Sequence, residues 1–342
     1  MIFMEPSRLG WRDTLVVSWM NKSNLNDDQK NIVNLMVDWL VKPLLAYIRK
    51  ECVELSETSD SNLVIAMFNI FESMFADFSQ VAGKPVPVGK KSIQGIFLFS
   101  LIWALGASVN EAGRKKVNDF IHNLCNGMVA DSAKPTALLL ETNVPEGSIY
   151  DYLFDSTGTW KLWIDTIPAN YTIPPKTKYD SILVPTADTA RYSYLMKLLA
   201  SHGKHVLFVG PTGTGKSMYV RECLMNGMDR DVYIPVFINF SAQTSANQTQ
   251  DIIESKLDKR KKGVFGPMLG KKCIVFVDDL NMPAREQYGA QPPIELLRQW
   301  MDHGGWYNLN DNTMQEFVDI QFIGAMGPPG GGRNFVTPRV ST

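Results

Sequence analysis

The chain has 342 residues, 45% hydrophobic and 20% charged, enough for two or three domains with buried cores. Lys plus Arg number 34 and Asp plus Glu 35, a balance that argues against a dedicated nucleic-acid binder and leaves room only for a local basic patch. Cys52, Cys125, Cys223 and Cys273 are far apart with no C-x-x-C pair, so free buried thiols in a reducing compartment are expected, not a disulfide or metal framework.

Met1-Ile2-Phe3-Met4 runs at once into Glu5-Pro6, which is no signal-peptide core, and none is expected. Up to Met20, Pro6 and Gly10 punctuate and Trp11 and Trp19 offer apolar anchors. From about Asp27 to Cys52, Ile32, Leu35, Met36, Trp39, Leu40, Leu44, Leu45 and Ile48 recur at helical spacing. Asn26 or Asp27 is the expected N-cap, and Pro43 predicts a kink or break. Asn62 to Val81 repeats the theme with Val64, Phe68, Phe71, Phe75 and Phe78, an aromatic stripe whose spacing points to core. Gly83-Lys84-Pro85-Val86-Pro87 breaks the pattern. Helices follow over Ser92 to about Ala107 and Asn110 to Cys125. Ile96 to Ala107, the most apolar stretch, has about twelve residues, too few to span a bilayer.

From Ser132 to Pro185 prolines recur, with Tyr150, Tyr152, Phe154, Trp160 and Trp163 among them. A free linker would not carry these aromatics, so the segment is expected to pack onto the next module. Arg191 to Ser201 reads as a helix. His205-Val206-Leu207-Phe208-Val209 reads as a buried strand. His202 and His205 form H-x-x-H without the carboxylate or thiol pattern of a zinc site.

Gly210-Pro211-Thr212-Gly213-Thr214-Gly215-Lys216-Ser217 fits G-x-x-x-x-G-K-[ST] in full. Its glycines allow the tight turn that aims successive N–H groups at nucleotide phosphates. Lys216 would reach the β- and γ-phosphates, and the Ser217 hydroxyl would sit on Mg²⁺. Met218 to Met225 reads as the helix whose N-terminus completes the cradle.

Val232 to Phe240 reads as a strand, Ser241 to Gln250 as polar, and Ile252 to Lys259 as helical. Lys259-Arg260-Lys261-Lys262 reads as a solvated hairpin or loop. Cys273-Ile274-Val275-Phe276-Val277-Asp278-Asp279 is a buried parallel strand ending in two carboxylates, the Walker B pattern. Asp278 would hold Mg²⁺, and Asp279 stands where a base or water-orienting group belongs. Pro292 to His303 reads as a helix with Gly304-Gly305 at its end. Phe317 to Met326 is a further strand, stopped by Gly327-Pro328-Pro329-Gly330-Gly331-Gly332.

These stretches together resemble a dynein heavy chain, of the axonemal (ciliary) type in the wording of Gly289 to Trp306. The resemblance is carried by Met1 to Pro6 with Leu9-Gly10-Trp11, Phe99 to Trp103, Val184-Pro185-Thr186 with Asp188-Thr189 and Arg191, the phosphate loop, and Val277 to Pro283. An unrelated P-loop NTPase would not match the N-terminal half. The resemblance implies an α/β fold: a P-loop AAA+ module, with a parallel sheet flanked by helices, preceded by an all-helical lid. It implies the end of a second AAA+ module over 1–24, that module's lid over 25–131, a linker over 132–184 and the large part of a third module over 185–342.

The resemblance further implies ATP or ADP and Mg²⁺ as ligands, with Val184, Pro185 and Thr186 near the adenine. It implies a regulatory, slowly hydrolysing site in a minus-end-directed microtubule motor of the cytoskeleton, in the cytoplasm and in the axoneme of cilia or flagella. Partners would be the other AAA+ modules of the heavy chain, and intermediate and light chains and microtubules through a longer parent, with no nucleic acid and no membrane. The alternative is a non-motor fragment, a weak nucleotide-binding or interaction module. Two departures bear on chemistry. Asp279 stands where most AAA+ ATPases carry the longer Glu, and Gly327 stands where many place a polar sensor residue. Arg339 is the candidate for an arginine reaching a neighbour's nucleotide, with Arg333 behind it.

Overall fold

The computed structural model describes residues 10–81, 83–129, 132–168 and 184–337. They fall into two units, Met1–Pro174 with Pro185–Ala190 and Pro175–Val184 with Arg191–Thr342.

In the first unit a π-helical turn, Arg12–Val16, leads into helix α1 (Val17–Lys22). Helix α2 (Asp27–Met36) starts at Asn26, whose side chain accepts the Gln29 amide while Gln29 reaches back to the Asn26 amide. This reciprocal cap satisfies two donors that a helix start leaves open. The expected break at Pro43 is instead a π-helical turn, Val37–Val41, that joins α2 to α3 (Lys42–Glu51). Proline has no N–H and its ring crowds the carbonyl four residues back, and the wider turn absorbs both defects without ending the helix. By length and composition this 25-residue helix would cross a bilayer, yet 56% of its most apolar window is buried within the fold.

Ser59 caps α4 (Asp60–Phe78), which buries Leu63, Val64, Met67, Phe68, Phe71 and Met74. Trp19 stacks on Phe68 at 4.0 Å and meets Phe71 edge-on at 5.6 Å, so the aromatic stripe is core. A two-residue hairpin, β1 (Gln80–Val81) with β2 (Lys84–Pro85), precedes α5 (Lys90–Leu101). The π-helical turn Ile102–Gly106 extends α5, and Asn110 caps α6 (Glu111–Cys125).

The sequence reading has the aromatic segment packing onto the following module. Its side chains pack on the helices that precede it. Strands β3 (Tyr152–Phe154) and β4 (Trp160–Leu162) form a hairpin that lays the Phe154 ring over Gly95, where an added Cβ would lie 2.0 Å from the ring. Trp163 sits among Phe99 and Trp103, and Tyr150 donates its hydroxyl to the Gly106 carbonyl at 2.7 Å. The buried Gln94 amide donates to Leu139 O and accepts from the Glu141 amide, both at 2.8 Å, as a strand neighbour would. Prolines prevent this segment from forming a regular sheet, so side chains of α5 and α6 satisfy its backbone instead.

The division between units falls within α7 (Ala187–Ser201). The second unit is built on β5 (Val206–Val209), α8 (Lys216–Glu222), β6 (Tyr233–Asn239), α9 (Ala246–Glu254), the hairpin β7 (Asp258–Lys261) and β8 (Val264–Gly266), β9 (Lys272–Asp278), α10 (Pro292–His303), β10 (Gly305–Tyr307), β11 (Met314–Phe317) and β12 (Ile320–Met326). Its main sheet has the order β5-β12-β9-β6 with every pairing parallel. Cys273, Val275 and Val277 of β9 face one core cluster and Ile274 and Phe276 the other. A strand buried on both faces needs a continuous apolar run, which is what marks it in sequence.

Two local expectations are corrected. The helix read at Ile252 to Lys259 lies earlier, at Ala246–Glu254, capped by Ser245, and Asp258–Lys261 is a strand. Its buried face includes Thr249 and Gln250, so hydrophobic spacing could not reveal it; Gln250 is satisfied by Tyr307 O and Glu254. The apolar run Phe317 to Met326 serves two sheets. β11 ends at Phe317 in the small sheet, Asp319 turns at φ 58°, and β12 begins at Ile320 in the parallel one.

The thiols are free, and burial raises Cys273 and Cys125 to about 12 and Cys223 to about 11, which keeps them protonated. Burial also holds the His205 imidazole below its ordinary value, and its Nδ1 accepts the Phe322 amide at 3.1 Å. The unfolded ring titrates near about 6.5, so below that pH the unfolded chain takes up a proton that the folded ring resists. Stability carried by neutral His205 is therefore present above that pH and lost as pH falls towards the folded value. Melting of the chain is expected to drop between about pH 7.5 and 5.5, and to drop less in His205→Asn, which keeps an acceptor for Phe322 and cannot titrate. Equal pH slopes in the two proteins would remove His205 as the cause.

Candidate nucleotide site

Parallel pairing sets the site. β5, β12 and β9 end side by side, with Met326 opposite Val209 and Gly324 opposite Val277, so the segments leaving them meet at one edge of the sheet. In an open α/β sheet this edge is where ligands bind. The Gly210 amide donates to Met326 O at 3.2 Å and the Leu280 amide to Ala325 O at 3.0 Å, pinning both exits to the central strand.

Gly213 and Gly215 have φ of 87° and 78°, the left-handed region. A Cβ on Gly215 would also lie 3.0 Å from the Tyr219 ring. These two positions therefore require glycine, and they turn the loop into the N-terminus of α8. The first turn of a helix leaves amides without intrahelical acceptors, which suits an anion. The Lys216 ammonium donates to Gly210 O and Pro211 O, both at 2.7 Å, and to Thr214 Oγ1 at 3.2 Å. Burial, and then the charge of Arg333, lower its pKa, while Asp278 and Asp279 pull it up.

Asp279 has φ of 52°, and its amide donates to Asp278 Oδ1 at 3.1 Å. The left-handed turn swings the Asp279 side chain away from the strand line, and both carboxylates are half-buried. Oxygen donors Ser217 and Asp278 fit Mg²⁺, which takes one or two protein ligands and completes its shell with phosphate and water. Glycine loop, lysine and helix start fit the phosphates.

Two residues of the site escaped the sequence reading. Asn281 is buried, and its Nδ2 donates to Gly327 O at 2.8 Å and Asn334 O at 3.1 Å, tying the β9 exit to the β12 exit. The sequence offers Arg333 only as a second candidate for reaching a neighbour's nucleotide. Its Nη2 lies 3.4 Å from Asp279 Oδ1 of its own module. The signal was there in Gly330-Gly331-Gly332, all with positive φ, which close a tight turn through reciprocal amide bonds between Gly330 and Arg333. Thr186 exchanges bonds with Thr189 at the start of α7, its Oγ1 accepting the Thr189 amide at 3.2 Å, while Val184 is exposed. Arg339 lies outside the described residues.

A parallel sheet with a phosphate loop on one strand and paired carboxylates on a near one, following a helical unit, defines an AAA module with a P-loop. The family described as "P-loop containing dynein motor region" matches residues 171–342, and "Dynein heavy chain AAA lid domain" matches 33–165, which takes in the aromatic segment. The chain belongs to the dynein heavy-chain family, with a lid followed by a P-loop motor region. It is 46% identical to dynein axonemal heavy chain 12 of Rattus norvegicus, over 99% of this chain and 11% of that protein. It is 45% identical to dynein axonemal heavy chain 3 of Homo sapiens, over 99% of this chain and 9% of that protein. For human dynein axonemal heavy chain 1 the identity is 40%, over 99% of this chain and 8% of that protein. The chain thus spans about a tenth of the length of the curated relatives it matches.

Proposed function

We propose that the second unit is the third AAA+ module of an axonemal dynein heavy chain, a regulatory site that binds ATP or ADP with Mg²⁺ and hydrolyses slowly. In this reading the helical unit carries the lid of the second module. Val184, Pro185 and Thr186 flank the adenine, and Gly210 to Ser217 hold the phosphates. Ser217 and Asp278 hold Mg²⁺, which supplies charge neutralisation at the phosphate oxygens. Asp279 orients the attacking water, and Lys216 faces the charge that develops on the leaving phosphates. The setting is the ATP-driven, minus-end-directed microtubule motor of cilia or flagella, where other AAA+ modules, intermediate and light chains and the microtubule are partners of the heavy chain.

The observation that carries this is the meeting of Lys216, Asp278 and Asp279 at one sheet edge, where the parallel strands β5, β12 and β9 end side by side. Slow chemistry follows from the residues. The Asp279 carboxylate sits one methylene further back than a glutamate would. An arginine supplied by a neighbour is worth roughly 10³ to 10⁵ in rate. Steady-state phosphate release from the chain, with Lys216→Ala as blank, is expected below about 0.1 per second. Several turnovers per second, absent in the blank, would overturn the regulatory reading.

A further inference from the structure

Gly327, at the end of the central strand, has no side chain because another residue occupies its place. A Cβ there would lie 2.5 Å from Arg333 Nε and 2.6 Å from its Cδ. The Gly330–Gly332 turn folds the chain back so that the Arg333 stem crosses the Gly327 backbone. Asn334 fixes that turn, its amide donating to Asn281 O at 3.0 Å and its Nδ2 to Pro283 O at 2.9 Å. The guanidinium is thereby held at the mouth of β12, between the strand that leads to the phosphate loop and the strand that ends in Asp278.

Arg333 is poorly used there. Its ion pair with Asp279 is long, at 3.4 Å, and Asp279 is 47% exposed. Its Nε is buried with no hydrogen-bond partner among the described residues. An arginine has five donors, and a buried donor left unmade is costly, so the group is set up for an acceptor of higher charge than one half-exposed carboxylate. The same charge reaches Lys216, which puts it near the lysine that faces the terminal phosphates.

We propose that Arg333 is a phosphate-binding residue of its own module: it contacts the terminal phosphate of a nucleoside triphosphate and does for that phosphate what a polar side chain at 327 would do. Asp279 is its partner when no third phosphate is present, so triphosphate binding frees the Asp279 carboxylate as it engages the arginine. The site therefore tells triphosphate from diphosphate through a residue in cis. This rests on the reading that the loop at Gly210 to Ser217 binds nucleotide.

The test is equilibrium binding of ATPγS and of ADP, each with Mg²⁺, to the full chain and to Arg333→Met, which keeps the stem over Gly327 and removes the charge. Affinity for ATPγS is expected to fall by about 10- to 100-fold and affinity for ADP by less than about 3-fold. Arg333→Lys should recover only part, because an ammonium lacks the planar fork. In Arg333→Ala, which uncovers Gly327, adding Gly327→Asn should recover part of the preference for ATPγS. Equal losses for both nucleotides would make Arg333 a structural residue and overturn the proposal, as would no loss for either. A parent chain that binds neither nucleotide would overturn the nucleotide reading itself, and a parent that binds both with Arg333→Met unchanged would overturn only the role of Arg333.

Discussion

Replacing Lys216 by alanine is expected to weaken Mg·ATP binding by about a hundredfold, roughly 3 kcal/mol of lost charge-assisted hydrogen bonds. The size follows from what remains. Lys216 and Arg333 stand against Asp278 and Asp279 at the sheet edge, and removing the lysine leaves a phosphate facing two carboxylates with one cationic side chain. Among the described residues the ammonium bonds only to Gly210, Pro211 and Thr214 of its own loop, so the variant is expected to keep its fold. Arginine should not rescue it. Oxygens at 2.7 Å on Gly210 and Pro211 fit a compact ammonium, and a planar guanidinium needs more room. Calorimetry with Mg²⁺ decides the point, and equal affinity in the variant and the parent would remove the loop from the site.

Much of this site is legible in the sequence because its constraints are local. Gly213 and Gly215 must be glycine for backbone reasons, and the run from Cys273 to Val277 must be apolar because both faces of its strand are buried. The helices of the lid are legible for the same kind of reason, since Asn26, Ser59 and Asn110 cap them within a few residues of their own chain. What was not legible depends on contacts across long stretches of chain. Arg333 meets Asp279 over 54 residues of separation, and Asn281 meets Gly327 over 46. No spacing rule joins them; only the order of the parallel strands does. The helix at Ala246–Glu254 hides for a different reason, because part of its buried face is polar and is satisfied by Tyr307, far along the chain.

The seat of the aromatic segment yields the sharpest test of the lid. Gly95 lies inside α5, where replacing glycine with alanine ordinarily stabilises a helix by about 1 kcal/mol. Here the added Cβ would lie 2.0 Å from Phe154 Cζ, with the neighbouring ring carbons at 2.2 and 2.4 Å. The ring has little freedom to yield. Phe154 is fully buried, stacks on Phe78 at 5.8 Å and meets Trp160 edge-on at 5.1 Å. Overpacking of this kind costs about 1–3 kcal/mol. We expect the clash to win, so Gly95→Ala should destabilise the lid. Phe154→Ala alone should cost about 3–5 kcal/mol through the cavity it leaves. In the Phe154→Ala background the clash is gone, and Gly95→Ala should then be stabilising, a change of sign that only direct contact produces. Urea unfolding followed by tryptophan fluorescence reads this out, because Trp11, Trp19, Trp39, Trp103, Trp160 and Trp163 of the chain's 8 tryptophans belong to the first unit. If Gly95→Ala raises stability in both backgrounds, Phe154 is not seated on Gly95, and the aromatic segment is held to the lid by something other than this contact.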